Sequence, residues 1–155
     1  MVVSGIAAKC KRLAAVALLF WVGSRASVGA DVLVAPGAAN LSCVRKLTTE
    51  TGILSLSYTN SIVGYNITVV ASLGTGTPVV GAKLSIKGGD IAAYGAGLLV
   101  TGSTPAVAKT LKANVPAESG SVSDIYLQLD ASGVAAGATG LGSAWTYILT
   151  YTLGP

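Results

Sequence analysis

The chain has 155 residues, of which 52% are hydrophobic, 10% are charged and none is histidine. The missing histidine removes the commonest general base and metal ligand at once, and with it any Ser–His or Cys–His nucleophile. The formal charge of +4 looks basic, but the way it is distributed along the chain excludes a nucleic-acid footprint.

Residues 1–30 read as a secretory signal peptide. Lys9, Lys11 and Arg12 form a basic region, Leu13 to Gly23 is an unbroken apolar run of eleven residues, and Val28, Gly29 and Ala30 offer a small-residue cleavage site ahead of Asp31. Eleven apolar residues fall short of the roughly 20 that a spanning helix needs, so cleavage is expected and the membrane is met only in transit. Cys10 precedes the apolar run, which rules out a lipoprotein box. Four of the ten positive residues leave with this segment. The remainder, 31–155, holds six positive and six negative side chains and is formally neutral. A neutral, charge-poor surface lacks the mutual repulsion that keeps proteins apart.

Its 125 residues are one domain's worth. Val32 and Val34 alternate in "DVLVAPG" and read as a first strand; the alternative is a donor strand that completes a neighbour's sheet. Asn40 ("NLS") and Asn66 ("NIT") open glycosylation sequons, used or ignored according to the host. Cys43 is the only cysteine after residue 30, so it cannot form a disulfide within the processed chain; a buried thiol in a strand-like stretch is expected.

From residue 53 onwards nearly every patterned stretch has period two. Leu54, Leu56 and Tyr58 oppose Ile53 and Ser55. Tyr65, Ile67 and Val69 oppose Asn66, Thr68 and Val70, and Ile125, Leu127 and Leu129 oppose Tyr126, Gln128 and Asp130. Glycine-rich and serine-rich turns separate these runs at strand-like spacing. Ala106–Ala113, "AVAKTLKA", is the one stretch expected to be a short helix. The chain closes on Trp145, Tyr147, Leu149, Tyr151 and Leu153, every second residue, with Thr146, Thr150 and Thr152 between them. These five are expected to form the inner face of a closing strand paired with an early one.

The pattern predicts an all-β fold of roughly seven to nine antiparallel strands, an Ig-like or jelly-roll-like β-sandwich following the signal peptide. An eight-stranded outer-membrane barrel competes. It would call for aromatic girdles at strand ends, whereas 31–155 has one Trp, six Tyr and no Phe, several of them mid-strand. No enzyme is expected. Lys83 and Ser85 share a strand face as a polar edge, and Asp124 and Asp130 would stand about 20 Å apart, too far for paired-carboxylate chemistry. The glycine stretches lack a P-loop lysine and lead into no helix. No cofactor, metal or nucleic acid is expected.

"YILTYTL", Tyr147 to Leu153, resembles the closing Y-x-x-x-W-x-L signature of WxL-type domains of bacterial cell-surface proteins, with Tyr151 at the tryptophan position. "GYNI", Gly64 to Ile67, resembles that family's upstream W-x-L with Tyr65 and Ile67 as the replacements. A looser similarity is to spore coat protein U-like pilin subunits, which are small, secreted, charge-poor and closed by a Thr-rich strand, but carry paired cysteines. Both resemblances imply a secreted or cell-surface structural or adhesive protein. Its partners would be its own copies, a cell-wall polymer or surface proteins. A carbohydrate- or protein-binding module is the alternative.

Overall fold

A computed structural model of the chain describes residues 2–9, 20–22, 31–37 and 39–155. The described residues form twelve strands and no helix: β1 (Val2–Lys9), β2 (Phe20–Val22), β3 (Val32–Val34), β4 (Thr48–Glu50), β5 (Leu54–Thr59), β6 (Tyr65–Gly76), β7 (Lys83–Lys87), β8 (Leu98–Thr101), β9 (Thr104–Pro105), β10 (Lys109–Val115), β11 (Ser119–Asp130) and β12 (Ala144–Gly154). Ten of these follow residue 30, slightly more than the alternation alone predicts. All pairings are antiparallel.

Two sheets result. One runs β10-β6-β12-β1-β2; the other runs β3-β5-β11-β7-β8-β9, with β4 continuing along β11 beyond β5. A single apolar core draws on both. Ile67, Val69, Ala71, Leu111, Val115 and the β12 aromatics come from the first sheet; Leu56, Tyr58, Leu84, Ile86, Val100, Ile125, Leu127 and Leu129 come from the second. The period-two reading therefore has its cause in burial. Leu56 and Tyr58 are buried while Ile53 is 67% exposed, and Ile67 and Val69 are buried while Val70 is 40% exposed.

Two expectations need correction. Ala106–Ala113 is not helical: Lys109–Val115 is strand β10, paired with β6 and interrupted by two register shifts. Its apolar residues Leu111 and Val115 are four apart, a spacing that keeps one face of a helix and, being even, one face of a strand as well; both are fully buried. Asn114 takes a left-handed φ of 51° in that irregular stretch, a conformation asparagine tolerates better than most residues. Cys43 is buried as expected, at 1% exposure, but in an irregular segment rather than a strand. Val2–Lys9, at the front of the segment read as a leader, forms a strand along β12. Apart from Phe20–Val22, the apolar run of the leader lies outside the described residues, as does the cleavage site Val28–Ala30.

Candidate functional site

The closing strand β12 is the place where sequence pattern and architecture converge. On one side it pairs with β6 from Trp145↔Gly76 to Gly154↔Asn66. Trp145, Tyr147, Leu149 and Tyr151 are each at most 1% exposed, and Leu153 is half-buried at the far end. Alternation drives these rings into the core. Tyr147 also donates its hydroxyl to the Gly102 carbonyl oxygen in the β8–β9 turn, so the strand is tied to the opposite sheet. Burial pushes the Tyr147 and Tyr151 phenols well above their ordinary pKa. Gly76 permits the closest approach: its φ is 81°, and a Cβ there would fall within 2 Å of the Ala144 carbonyl oxygen. Any side chain at that position would push the start of β12 off β6.

On its other side β12 meets β1, in register from Val2↔Tyr151 to Lys9↔Ala144. The outward residues Thr146, Ile148 and Thr150 are half-buried. From Ala144 to Gly154 the strand carries neither a charge nor a proline. Sheet edges normally carry such features to block unwanted pairing, and the edges formed by strands after residue 30 do. β9 is two residues long and contains Pro105. β3 is three residues long, with Asp31 just before it and Pro36 just after. β10 has Lys109, Lys112 and two register shifts. Its backbone is also occupied by neighbours: Ala113 N–H donates to Asp90 Oδ2 at 2.7 Å, Asp90 N–H donates to the Leu111 carbonyl at 2.8 Å, and Asn66 Oδ1 accepts from Asn114 N–H at 3.1 Å.

A second surface lies on the other sheet. Tyr126 on β11 is directly opposite Lys87 on β7, and Tyr94 rises from the turn that follows β7. The Lys87 ammonium stands 4.6 Å from the Tyr126 ring centre and 4.9 Å from that of Tyr94, within cation–π range of both. Burial first, and then the neighbouring Glu50 carboxylate, push the Tyr94 phenol well above its usual pKa. The cluster offers ring edges, a cation and a carboxylate, although the lysine already satisfies much of its charge on the two rings.

The remaining sequence-nominated residues fall as follows. Asn40 is exposed. Asn66 is half-buried, with its amide oxygen engaged by Asn114. Val32 and Val34 are 45% and 50% exposed and belong to β3, which pairs with β5 of the same chain through Val32↔Thr59 and Val34↔Ser57. Their side chains are exposed, although β3 itself runs close to β12. Sequence reasoning missed Asn60. At 3% exposure its Nδ2 donates to the carbonyls of Ile62, Val115 and Pro116, and its Oδ1 accepts the Ile62 N–H. A lone asparagine in "YTNSIVG" gives no signal that two of its partners, Val115 and Pro116, lie more than fifty residues away. The Tyr94–Lys87–Tyr126 cluster was equally invisible, being assembled from three separate segments.

Comparison of the chain with protein-family models, with curated proteins and with solved structures finds no match. The functional reading therefore rests on the residues themselves.

Proposed function

We propose that the chain is a secreted, non-catalytic structural or adhesive protein of the cell surface or of an extracellular fibre. In this reading residues 1–30 are removed as a signal peptide and residues 31–155 fold as a β-sandwich. The observation that carries it is β12, a long strand with neither charge nor proline whose outer neighbour belongs to the leader. A processed chain would present that strand to other molecules, while every other edge after residue 30 is short, irregular or charged. An apolar core shared by two sheets supports a sandwich over a membrane barrel, whose apolar band would face outward. The resemblance of Tyr147–Leu153 to the closing strand of WxL-type domains points to the same compartment.

Asp31 supports this point of processing. Its carboxylate accepts both the Ser61 N–H at 2.6 Å and the Ser61 hydroxyl at 2.7 Å. A chain starting there would have its first residue pinned to the turn between β5 and β6. The Tyr94–Lys87–Tyr126 surface favours a second reading, a carbohydrate- or protein-binding module, in which the tyrosine rings stack on a sugar or a side chain. Expression of the full chain in a secreting host, followed by fractionation and N-terminal sequencing, tests the first reading. Exported material beginning at Asp31 is expected; intact chain retained inside the cell would overturn it.

A further inference from the structure

We infer that, once the leader is removed, the β12 edge pairs with β12 of a second copy of this chain, and that β1 is the intramolecular cap that blocks this pairing beforehand. The inference rests on the proposed processing after Ala30, and it names the partner of the edge described above.

Three observations carry it. First, β1 occupies the edge along eight consecutive register positions, so the backbone groups on this side of β12 are straight and accessible enough to accept a full antiparallel strand. Nothing between Ala144 and Gly154 opposes a replacement, since the strand has neither like charges to repel nor a proline to remove a donor. Second, β12 is nearly palindromic in chemical character about Ile148. A two-fold axis through Ile148 sets Thr146 opposite Thr150 of the other copy on the outer face. On the inner face it sets Trp145 opposite Tyr151 and Tyr147 opposite Leu149. Paired threonines and aromatic–aliphatic pairs are favourable cross-strand neighbours, and antiparallel is the direction the edge already accepts from β1. Third, residues 31–155 are formally neutral, so two copies approach without long-range repulsion. The product is a continuous sheet, β10-β6-β12 joined to its own two-fold image. Both of its outer ends are β10 strands protected by lysines and register shifts. Symmetry closes the assembly at two copies.

The test uses the full chain with a site-specific protease sequence inserted between Ala30 and Asp31, purified intact and then cut. Light scattering should give a monomer before cutting and a dimer after the released segment is removed. A synthetic peptide of residues 2–9 should return the dimer to monomer by refilling the edge. Ile148→Lys places two like charges face to face and should abolish the dimer, as should Ile148→Glu. Mixing the two variants should restore it as a heterodimer, which a folding defect could not do. Ile148→Cys should form a disulfide across the axis, because directly opposite Cα atoms stand about 4.5–5.5 Å apart. Thr152→Cys should form none, its two copies lying about 25–30 Å apart. A cut protein that stays monomeric, or that unfolds on cutting, overturns the inference. So does a cut protein that assembles without the Ile148→Cys cross-link. The wider reading fails separately, if the chain is never exported.

Discussion

The two strands that flank β6, β10 and β12, handle the same physical problem in opposite ways. On one side of β6, β10 has lysines at 109 and 112, two register shifts and three neighbours, Asn60, Asn66 and Asp90, that hydrogen-bond its backbone. On its other side, β12 is regular over most of its length, free of charge and covered by β1. An exposed strand edge is an open template. β10 is closed by permanent local chemistry, and β12 by a strand from residues 1–30, which the proposed processing would remove. The difference teaches where the proposed pairing would act: at the strand side without built-in protection.

The comparison can be broken most forcefully from the inner face of β12. Tyr151 is 1% exposed, so Tyr151→Ser leaves a cavity with a new hydroxyl in it. Truncating a buried aromatic costs about 3–5 kcal/mol, a large share of a domain's stability. Denaturant melts should show a loss of that size, and with it the loss of any dimer. At the β10 end, Asn60→Ala removes the donor to Val115, Pro116 and Ile62 and strands buried carbonyls. A cost of about 1–3 kcal/mol is expected, and hydrogen exchange should localise it to the end of β10 rather than to β12.

A third experiment exchanges the character of the ends. Lys109→Val with Lys112→Val removes the charges from β10 and should leave thermal stability nearly unchanged. In the cut protein, however, a closed dimer should give way to longer assemblies, because both outer ends become adhesive. A protein that remains a dimer would place the protection of β10 in its register shifts and hydrogen-bonded backbone instead.

Acid should act on the other sheet. The Asp31 carboxyl is held below its ordinary pKa by the Ser61 hydroxyl and then by the Ser61 N–H, and that of Asp130 by Ser132 and, more weakly, by Thr48. A folded-state pKa below the unfolded value of about 4 means that the stabilisation is complete above that pH and is lost as pH falls through the folded value. Melting temperature should therefore be flat near neutrality and drop below about pH 4, and Asp130→Asn should blunt the drop. The β12 edge has no carboxyl of its own and should pair equally well across the neutral range. The smallest effect belongs to Thr150→Ser, on the outer face one residue from Tyr151, which should cost no more than about 0.5 kcal/mol plus a small loss of β-propensity. A larger loss than that of Tyr151→Ser would mean that the two faces of β12 are exchanged.

Much of this was legible in the amino-acid sequence, because alternation is a local consequence of burial. Leu54–Tyr58, Tyr65–Val69, Ile125–Leu129 and Trp145–Leu153 each announce a strand and its inner face within a few residues, and the absence of histidine and the neutrality of 31–155 need no fold at all. Pairing is different, since a strand's partner is chosen by hydrogen bonds and packing across long separations in the chain. Only the tertiary structure could join β12 to β6 and β1, gather Lys87, Tyr94 and Tyr126 onto one surface, or bring Asn60 to Val115. It also made Lys109–Val115 a strand rather than part of a helix, because pairing with β6 is a long-range choice that no local pattern encodes. The sequence settled which residues turn inward; the fold decided which strands stand side by side, because a strand's neighbours exist only once every other strand has been placed.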